Sequence, residues 1–296
     1  MDGAGDDTAA AVGQQPSSGI DPFTHELRFL LARAEAARFL DGAAGLTSTT
    51  TYDPDRPVSY TRTTYFDTAD AVYLSPAAGE PARRLRIRQY ATAGALDEPP
   101  VFSGVGFVEL KQHLGAARSK LRLAASAAEI AALLSDPQAA VRAAIATGRD
   151  ETPACIIAQE LAIATMAPRL STWYRRICLT VPGQPLRITL DDGLQFCRPQ
   201  PIGRAGRPAA PTARDVAAAF PARILEIKHC GRLPAWLDAL LAGLRPAPVH
   251  FSKFRIGMEA LAHELAIETR LSVPVPAAAP APGVAGLPIL PNIVAA

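Results

Sequence analysis

The chain has 296 residues and a mass of 31.2 kDa, and 49% of its residues are hydrophobic. This composition is sufficient to bury one large core or two modest ones. The formal net charge of +2 is too small for general nucleic-acid binding. Recognition of a polyanion would therefore depend on local clusters of charge, and we expect no nucleic-acid partner.

The two ends of the chain have compositions unlike that of its middle. Residues 1–20 are rich in Gly, Ala, Asp and Ser, which predicts a disordered tail without a secretory signal. Six prolines interrupt the apolar residues of the segment 272–296, so we expect a Pro/Ala-rich tail and no membrane span there. Between the tails we predict one domain, residues 21–271.

Within this domain, alternating polar and apolar residues predict eight strands, at 25–31, 61–67, 82–91, 105–112, 118–124, 171–181, 186–192 and 222–229. Segments rich in Ala, Leu and Glu predict helices at 32–41, 126–134, 137–147, 154–165, 234–243 and 252–267. Loops are predicted at Leu96–Gly104 and at the Pro-, Gly- and Arg-rich stretch Arg198–Pro211. The pattern indicates an α+β domain.

The predicted strands carry charge on one face. Residues i and i+2 of a strand share a face, so Glu109 lies beside Lys111, and Glu226 beside Lys228. The same spacing aligns other side chains: Glu26 with Arg28, Arg84 with Arg86 and Arg88, Lys120 with Arg122, Tyr174 with Arg176, and Arg187 with Thr189 and Asp191. A sheet with one solvated face explains any single strand. If the sheet closes into a barrel, these charges line a lumen and need a polyanion to neutralise them.

Lysine is rare in this chain, with four residues against 26 arginines. All four lie in short polar interruptions of apolar runs: Lys111, Lys120, Lys228 and Lys253. Either the placement is chance, or these positions need a compact ammonium where the planar guanidinium does not fit.

The cysteines argue for a reducing compartment. Cys155, Cys178, Cys197 and Cys230 form no Cys-x-x-Cys pair, which opposes a structural zinc site and a disulfide scaffold. We therefore expect a cytoplasmic protein.

Several motifs occur in a recognisable order. They are Glu26-Leu27-Arg28-Phe29, Thr64-Tyr65-Phe66-Asp67-Thr68, Arg84-Leu85-Arg86-Ile87-Arg88, Val108-Glu109-Leu110-Lys111, the Lys120/Arg122 strand, Tyr174-Arg175-Arg176, Arg187-Ile188-Thr189-Leu190-Asp191, Leu225-Glu226-Ile227-Lys228 and Ser252-Lys253-Phe254. With these motifs the chain resembles the VTC domain, the catalytic module of polyphosphate polymerases. That module belongs to the triphosphate tunnel metalloenzymes, which also include the CYTH enzymes.

The resemblance implies an eight-stranded antiparallel β tunnel, or barrel, with flanking helices. It implies transfer of the γ-phosphate of ATP onto polyphosphate, with Mn²⁺ or Mg²⁺ as cofactor. The implied catalytic residues are Arg86, Arg88, Lys111 and Lys253, and the implied phosphate-binding residues are Arg28, Lys120, Arg122, Arg176, Arg187 and Lys228. Glu226 would hold the metal; Glu109 and Asp191 would assist it or, as we favour, orient neighbouring cations.

Two departures from the family pattern bear on the reaction. Arg28 stands where the family usually has lysine, and Thr24 stands where hydrolytic CYTH relatives have the first glutamate of Glu-x-Glu-x-Lys. The second departure favours a polymerase over a triphosphate hydrolase. A hydrolase and a non-catalytic polyphosphate-binding module remain the alternatives. The sequence lacks the SPX and transmembrane segments of eukaryotic relatives, so we expect any membrane attachment to depend on a membrane protein partner.

Overall fold

The computed structural model describes residues 23–272, with gaps at 77, 115–116, 138–156, 158, 162–165 and 200–208. The strands are β1 (His25–Leu31), β2 (Ser48–Thr50), β3 (Val58–Asp67), β4 (Ala82–Ala93), β5 (Val101–Phe102), β6 (Val105–Leu114), β7 (Ala117–Ser126), β8 (Ala167–Thr180), β9 (Leu186–Cys197), β10 (Val216–Ala219) and β11 (Arg223–His229). The helices are α1 (Arg33–Ala43), α2 (Ala127–Ser135), α3 (Ala235–Leu244) and α4 (Lys253–Ser272).

Eight of these strands form one antiparallel series in the order β1-β11-β9-β8-β3-β4-β6-β7. They are the eight strands predicted from alternation, and the α+β class is confirmed. The short strands β2, β5 and β10 pair with β8, β4 and β9 and were not predicted. The predicted loop Leu96–Gly104 is wrong at Val101–Phe102, because a two-residue strand is too short to show alternation.

The edge of β1 is covered by the chain segment before α4. No backbone ladder joins β1 to β7 in the described part of the chain. Instead, the Val249 N–H donates a hydrogen bond to the Arg28 carbonyl at 2.8 Å, and Phe29 forms an isolated bridge with Pro248. The series of eight strands is therefore not closed by hydrogen bonds between its two ends.

The sheet is nevertheless curled, so that distant strands face each other. The pKa of Lys111 on β6 is lowered mainly by the charge of Arg86 and by burial, and the charge of Lys228 on β11 lowers it further. Four strands separate β11 from β6 in the sheet, so this interaction crosses the space that the sheet encloses. The enclosed space is the lumen of a β tunnel.

Helices α1 and α3 cover the outer wall of the tunnel at β1, β11 and β9. The core between them is apolar and includes Phe29, Leu31, Phe39, Ile188, Leu190, Leu225, Ile227 and Leu237. Glu226 lies between Leu225 and Ile227 and therefore points to the other face. Burial of one face under helices thus fixes which face of these strands lines the lumen.

Helix α2 begins where its sequence predicts. The Ser126 hydroxyl accepts a hydrogen bond from the Glu129 N–H at 3.3 Å, and the Glu129 carboxylate accepts one from the Ser126 N–H at 2.8 Å. This capping box satisfies backbone donors that the first turn would otherwise leave unpaired. It accounts for a start within one residue of the predicted one.

Helix α4 packs closely against β3, β8 and β9. The Phe254 ring stacks on Tyr65 with ring centroids 5.2 Å apart. A Cβ atom at Gly257 would lie 2.5 Å from a methyl group of Leu170 and 2.6 Å from the ring of Phe196, so glycine allows this approach. The packing places the first residue of α4, Lys253, at the lumen.

Several predictions concern residues outside those described. The predicted tails 1–20 and 272–296 fall almost entirely there, as do most of the predicted helices 137–147 and 154–165 and the middle of the Arg198–Pro211 loop. In the second of these helices, Ile157 and Gln159–Leu161 are described and are helical. Among the described residues, no helix has the length and apolar character needed to cross a membrane.

The Asp67 side chain holds the turn that follows β3. Its carboxylate accepts three backbone N–H hydrogen bonds, from Thr68 at 2.8 Å, Tyr73 at 2.9 Å and Leu74 at 3.0 Å. We expect Asp67→Ala to lower the free energy of unfolding by about 2 kcal/mol, because buried donors lose their acceptor. Urea unfolding measures this loss, and Asp70→Ala, at an exposed position three residues on, is the matched control. An equal effect of both substitutions would contradict the assignment.

Candidate active site

The strand register brings the predicted charged residues to one face of the sheet. Arg28 is paired with Glu226, Arg176 with Asp191, and Arg86 with Glu109. Cross-strand partners point to the same face, so the register defines the lining of the lumen. Its cations are Arg28, Arg84, Arg86, Arg88, Lys111, Lys120, Arg122, Arg176, Arg187 and Lys228, with Lys253 added from α4. Its carboxylates are Glu26, Glu109, Asp191 and Glu226.

Glu109 is fully buried at the centre of one charged cluster. Arg86 donates two hydrogen bonds to Glu109 Oε2, at 2.8 and 2.6 Å, and Lys120 Nζ and Arg122 Nε lie 3.3 and 3.4 Å from Oε1. Burial opposes ionisation, but the charges of Arg86, Arg88 and Lys120 outweigh it and hold the pKa of Glu109 well below its usual range. Glu109 is thus surrounded by cations that it can hold in place, as expected for the orienting role.

Asp191 has the same relation to a second cluster. Arg176 donates to both carboxylate oxygens, at 2.7 and 2.8 Å, and Lys253 Nζ donates to Oδ2 at 2.7 Å. Burial opposes ionisation here too, but Arg176 and Lys253 lower the pKa of Asp191. Lys253 Nζ also lies 4.9 Å from the centre of the Tyr174 ring. Asp191 therefore positions two of the predicted phosphate ligands.

Arg28 joins two carboxylates in a third cluster. Its Nε donates to Glu226 Oε2 at 3.1 Å, and its Nη2 forms an ion pair with Glu26. Lys228 Nζ lies 3.8 Å from the other oxygen of Glu26. Burial opposes ionisation, but Arg176, Arg28 and other cations lower the pKa of Glu226. The arginine found in place of the family's lysine thus links the first strand to β11.

A divalent cation fits the third cluster. Glu26 and Glu226 are hard oxygen donors on adjacent strands, already bridged by one positive group, and no hydrogen bond in the described structure reaches Glu226 Oε1. No group of three or more His, Cys, Asp or Glu residues suited to a metal occurs among the described residues. Mg²⁺ is commonly held by one or two carboxylates with phosphate oxygens and water. Glu26 was not predicted as a ligand, although its spacing from Arg28 placed it on the same face.

Three lumen cations make no ion pair with a carboxylate in the described part of the chain: Arg84, Arg88 and Lys111. Arg88 Nε is buried and makes no hydrogen bond there. The charge of Arg86, burial, and the charge of Arg88 lower the pKa of Lys111 to about 7. The charge of Glu109 acts on Arg88 and Lys111, but Glu109 is shared with Arg86, Lys120 and Arg122, so the region keeps an excess of positive charge that favours an anion.

Three aromatic side chains, those of Phe107, Tyr90 and Tyr52, line the lumen beside these cations. The Arg122 guanidinium lies 3.5 Å from the centre of the Phe107 ring and donates to the Tyr90 hydroxyl at 3.1 Å. Tyr52 packs against Tyr90 with ring centroids 4.5 Å apart. None of these aromatic residues was predicted for the site, although Tyr90 follows Arg88 by two residues and so shares its face. Their contacts hold Arg122 in one orientation.

The antiparallel tunnel with its cationic lumen defines the chain as a protein of the triphosphate tunnel class. A family model for the VTC domain matches residues 24–262, and the chain belongs to this family. The match confirms the resemblance noted in the sequence and covers the elements from β1 into α4. Triphosphate tunnel enzymes generally use divalent metals.

Two solved structures are similar to the chain over most of their length. A candidate adenylate cyclase from Bacillus halodurans has a TM-score of 0.45 and 13% identity, covering 77% of this chain and 92% of the other. A candidate adenylyl cyclase from Hippeastrum with a dominant triphosphatase activity has a TM-score of 0.45 and 13% identity, covering 79% of this chain and 94% of the other. No curated protein matches the sequence.

Proposed function

We propose that this protein is a polyphosphate polymerase that transfers the γ-phosphate of ATP to the end of a polyphosphate chain. The observation that carries the proposal is a set of lumen cations that make no ion pair within the described structure, Arg84, Arg88 and Lys111, beside cations that carboxylates hold in place. A row of phosphates supplies the missing negative charge, and guanidinium groups suit phosphate oxygens. The VTC family match supports the same substrate class.

In the proposed reaction, an anionic oxygen of the terminal phosphate attacks the γ-phosphorus of ATP. The bond from that phosphorus to the β–γ bridging oxygen breaks, ADP leaves, and the chain is one phosphate longer. Phosphoryl transfer asks the protein mainly to position the phosphates and neutralise their charge. Arg86, Arg88 and Lys111 would hold the transferred group, while Lys253 and Arg176, oriented by Asp191, would hold its neighbours.

The metal would be held by Glu226, with Glu26 beside it. A divalent cation supplies charge neutralisation across phosphate oxygens. Mn²⁺ and Mg²⁺ both favour carboxylate oxygens, so the donor set admits either. The protein's own part is to keep Glu226 ionised, which the surrounding arginines and lysines do.

The lumen carboxylates favour transfer over hydrolysis. Hydrolysis requires removal of a proton from water, whereas the attacking phosphate oxygen is already anionic. A general base works best when its pKa lies near the working pH. The pKa values of Glu109, Asp191 and Glu226 are all lowered by neighbouring cations, so these groups are weak bases.

One incubation separates the polymerase from its alternatives. Purified protein is mixed with ATP and Mn²⁺, and the products are separated on a gel that resolves long polyphosphate. A ladder supports the polymerase, and release of phosphate alone indicates a triphosphate hydrolase. Unchanged ATP with retained polyphosphate indicates a binding module.

We propose a cytoplasmic enzyme, in keeping with the free thiols of Cys178, Cys197 and Cys230. A membrane protein partner would then receive the growing chain. We also propose that residues 21–271 form the catalytic domain.

Lys111 should make polyanion binding depend on pH. In the protein without ligand the pKa of Lys111 is about 7, so at that pH half of the molecules carry a neutral Lys111 amine. A bound polyanion favours the charged ammonium form. Affinity for tripolyphosphate should therefore fall by up to about tenfold per pH unit as pH rises above 7. Lys111→Arg keeps its charge and should remove this part of the pH dependence. Calorimetry at several pH values from 6 to 9 gives the tripolyphosphate affinity of the parent and of Lys111→Arg. Protonation of tripolyphosphate itself affects both proteins equally, so only the difference between them reports on Lys111. Identical dependence of affinity on pH would contradict the prediction.

A further inference from the structure

The outer wall of the tunnel carries a recess that the proposed function does not use. It encloses about 340 Å³ including its open mouth and lies between β3, β8, β9 and α2. Its lining includes two arginines, two hydroxyl groups, a tryptophan and a thiol: Arg62, Arg198, Thr64, Ser171, Trp173 and Cys197. Arg62 and Thr64 alternate along β3 with Thr63, which is paired with Arg88 on the lumen face. The recess therefore faces away from the lumen.

Arg62 is a buried cation with neutral neighbours. It is 8% exposed, and its Nε and Nη2 donate to the Gln89 side-chain oxygen at 3.0 and 2.8 Å. Its Nη1 donates to the Ala209 carbonyl at 3.2 Å, and its guanidinium lies 4.6 Å from the centre of the Phe102 ring. No carboxylate pairs with Arg62 within the described ranges. Burial lowers its pKa to about 10, which reflects the cost of an unpaired charge away from water.

No described neighbour forms an ion pair with Arg62, although the charge of Asp215 acts on the Cys197 thiol of the same recess. Burial raises the pKa of the Cys197 thiol to about 12, so this sulfur is neutral at physiological pH. Arg198, at the same recess, is itself a cation and forms an ion pair with Glu264 at 3.0 Å.

We infer that this recess is a second anion-binding site, which takes a small oxyanion against Arg62. A guanidinium has five N–H donors, and Arg62 uses three of them on neutral oxygens. The hydroxyls of Thr64 and Ser171 hydrogen-bond to each other at 3.1 Å in the same lining, which leaves one hydroxyl hydrogen of the pair as a further donor. Phosphate and carboxylate groups share the chemistry that these donors recognise. The described lining carries two arginines and no row of cations like that of the lumen, so it suits a single small ion and not a chain.

Trp173 gives a local signal for this site. The only other tryptophan, Trp236, lies on α3, and Trp236→Phe leaves Trp173 as the single reporter. The Trp236→Phe variant is titrated with inorganic phosphate in one experiment and with acetate in another. We expect a saturable change in Trp173 emission in at least one experiment, and that experiment identifies the class of oxyanion. Arg62→Met should raise the dissociation constant about tenfold or more, because it removes a charge-assisted contact.

Two further variants separate this site from the lumen and from folding. Lys111→Met, on the lumen face, should leave the Trp173 titration within about twofold of the parent. If Arg62→Met fails to fold, the double variant Thr64→Val and Ser171→Ala takes its place and should weaken binding several-fold. The inference is overturned if neither ion gives a saturable signal, or if the folded recess variant binds as the parent does. These outcomes are independent of whether the lumen makes polyphosphate.

Discussion

Replacing Arg88 with Met is expected to weaken binding of tripolyphosphate about 100-fold, or about 2.7 kcal/mol. Arg88 lies on the lumen face of β4, and its buried Nε has no hydrogen-bond partner in the described structure. A phosphate oxygen would satisfy that donor in the complex, whereas methionine offers no donor and no charge. Calorimetric titration at constant pH and salt measures the loss.

The same substitution should lower stability modestly. Burial and Arg176 oppose the charge of Arg88, but attraction to Glu109 outweighs them and raises the pKa of Arg88, so its removal costs the folded state a favourable interaction. Thermal unfolding of Arg88→Met checks that the loss of affinity is not a loss of fold.

The control for Arg88→Met is Arg175→Met, which lies on the outer face of β8, away from the lumen. Arg175 pairs with Asp192 at 2.6 Å, and Asp192 keeps a second partner, Arg223, at 2.8 Å. Removing Arg175 should leave tripolyphosphate affinity within about twofold, because it lies outside the lumen. If both substitutions weaken binding equally, the anion is attracted by the overall charge and the lumen is not its site.

Arg86 is a poorer test of the lumen than Arg88. It donates both of its described hydrogen bonds to Glu109, which is 0% exposed and also lies beside Lys120 and Arg122. Truncating Arg86 leaves a buried carboxylate with weaker compensation, so folding and binding would fail together. This distinction between adjacent arginines of one Arg-x-Arg motif was not visible in the sequence.

Alternation along the chain was enough to predict the architecture. In Leu225-Glu226-Ile227-Lys228 the apolar residues pack under α1 and α3, which leaves the charged ones for the lumen. Because side chains in a strand have a period of two, charge placed at every second residue is either all inside or all outside. The four rare lysines follow the same rule, and each contacts or faces the lumen.

The pairing of charges within the lumen depends on register between distant strands and could not be predicted. Asp191 and Lys253 are 62 residues apart in the chain, and Lys253 Nζ lies 2.7 Å from Asp191 Oδ2. This contact requires the first residue of α4 to lie beside β9. Tyr52 lies outside any predicted strand, yet it packs against Tyr90 in the lumen. Arg62 follows the alternation correctly, but its burial depends on Phe102 in the unpredicted strand β5.

Glu226→Gln is expected to lower ATP turnover by about 1,000-fold or more, or about 4 kcal/mol in the barrier. The amide keeps the shape of the side chain but removes the negative charge that a hard divalent cation requires. Mn²⁺ affinity, measured by titration in the absence of ATP, should fall as well. Asp192→Asn, on the outer face of β9, is the control and should leave both quantities unchanged.

Binding of polyphosphate without metal distinguishes a metal ligand from a structural carboxylate. Glu226 contributes a negative charge to the lumen, so Glu226→Gln should retain metal-free affinity for tripolyphosphate or increase it. If Glu226 mainly holds Arg28 in place, the substitution would release Arg28 from its 3.1 Å contact and metal-free binding would weaken instead. Unchanged metal-dependent turnover would remove Glu226 from the site. Loss of turnover with retained anion binding is the combination that only a metal ligand predicts.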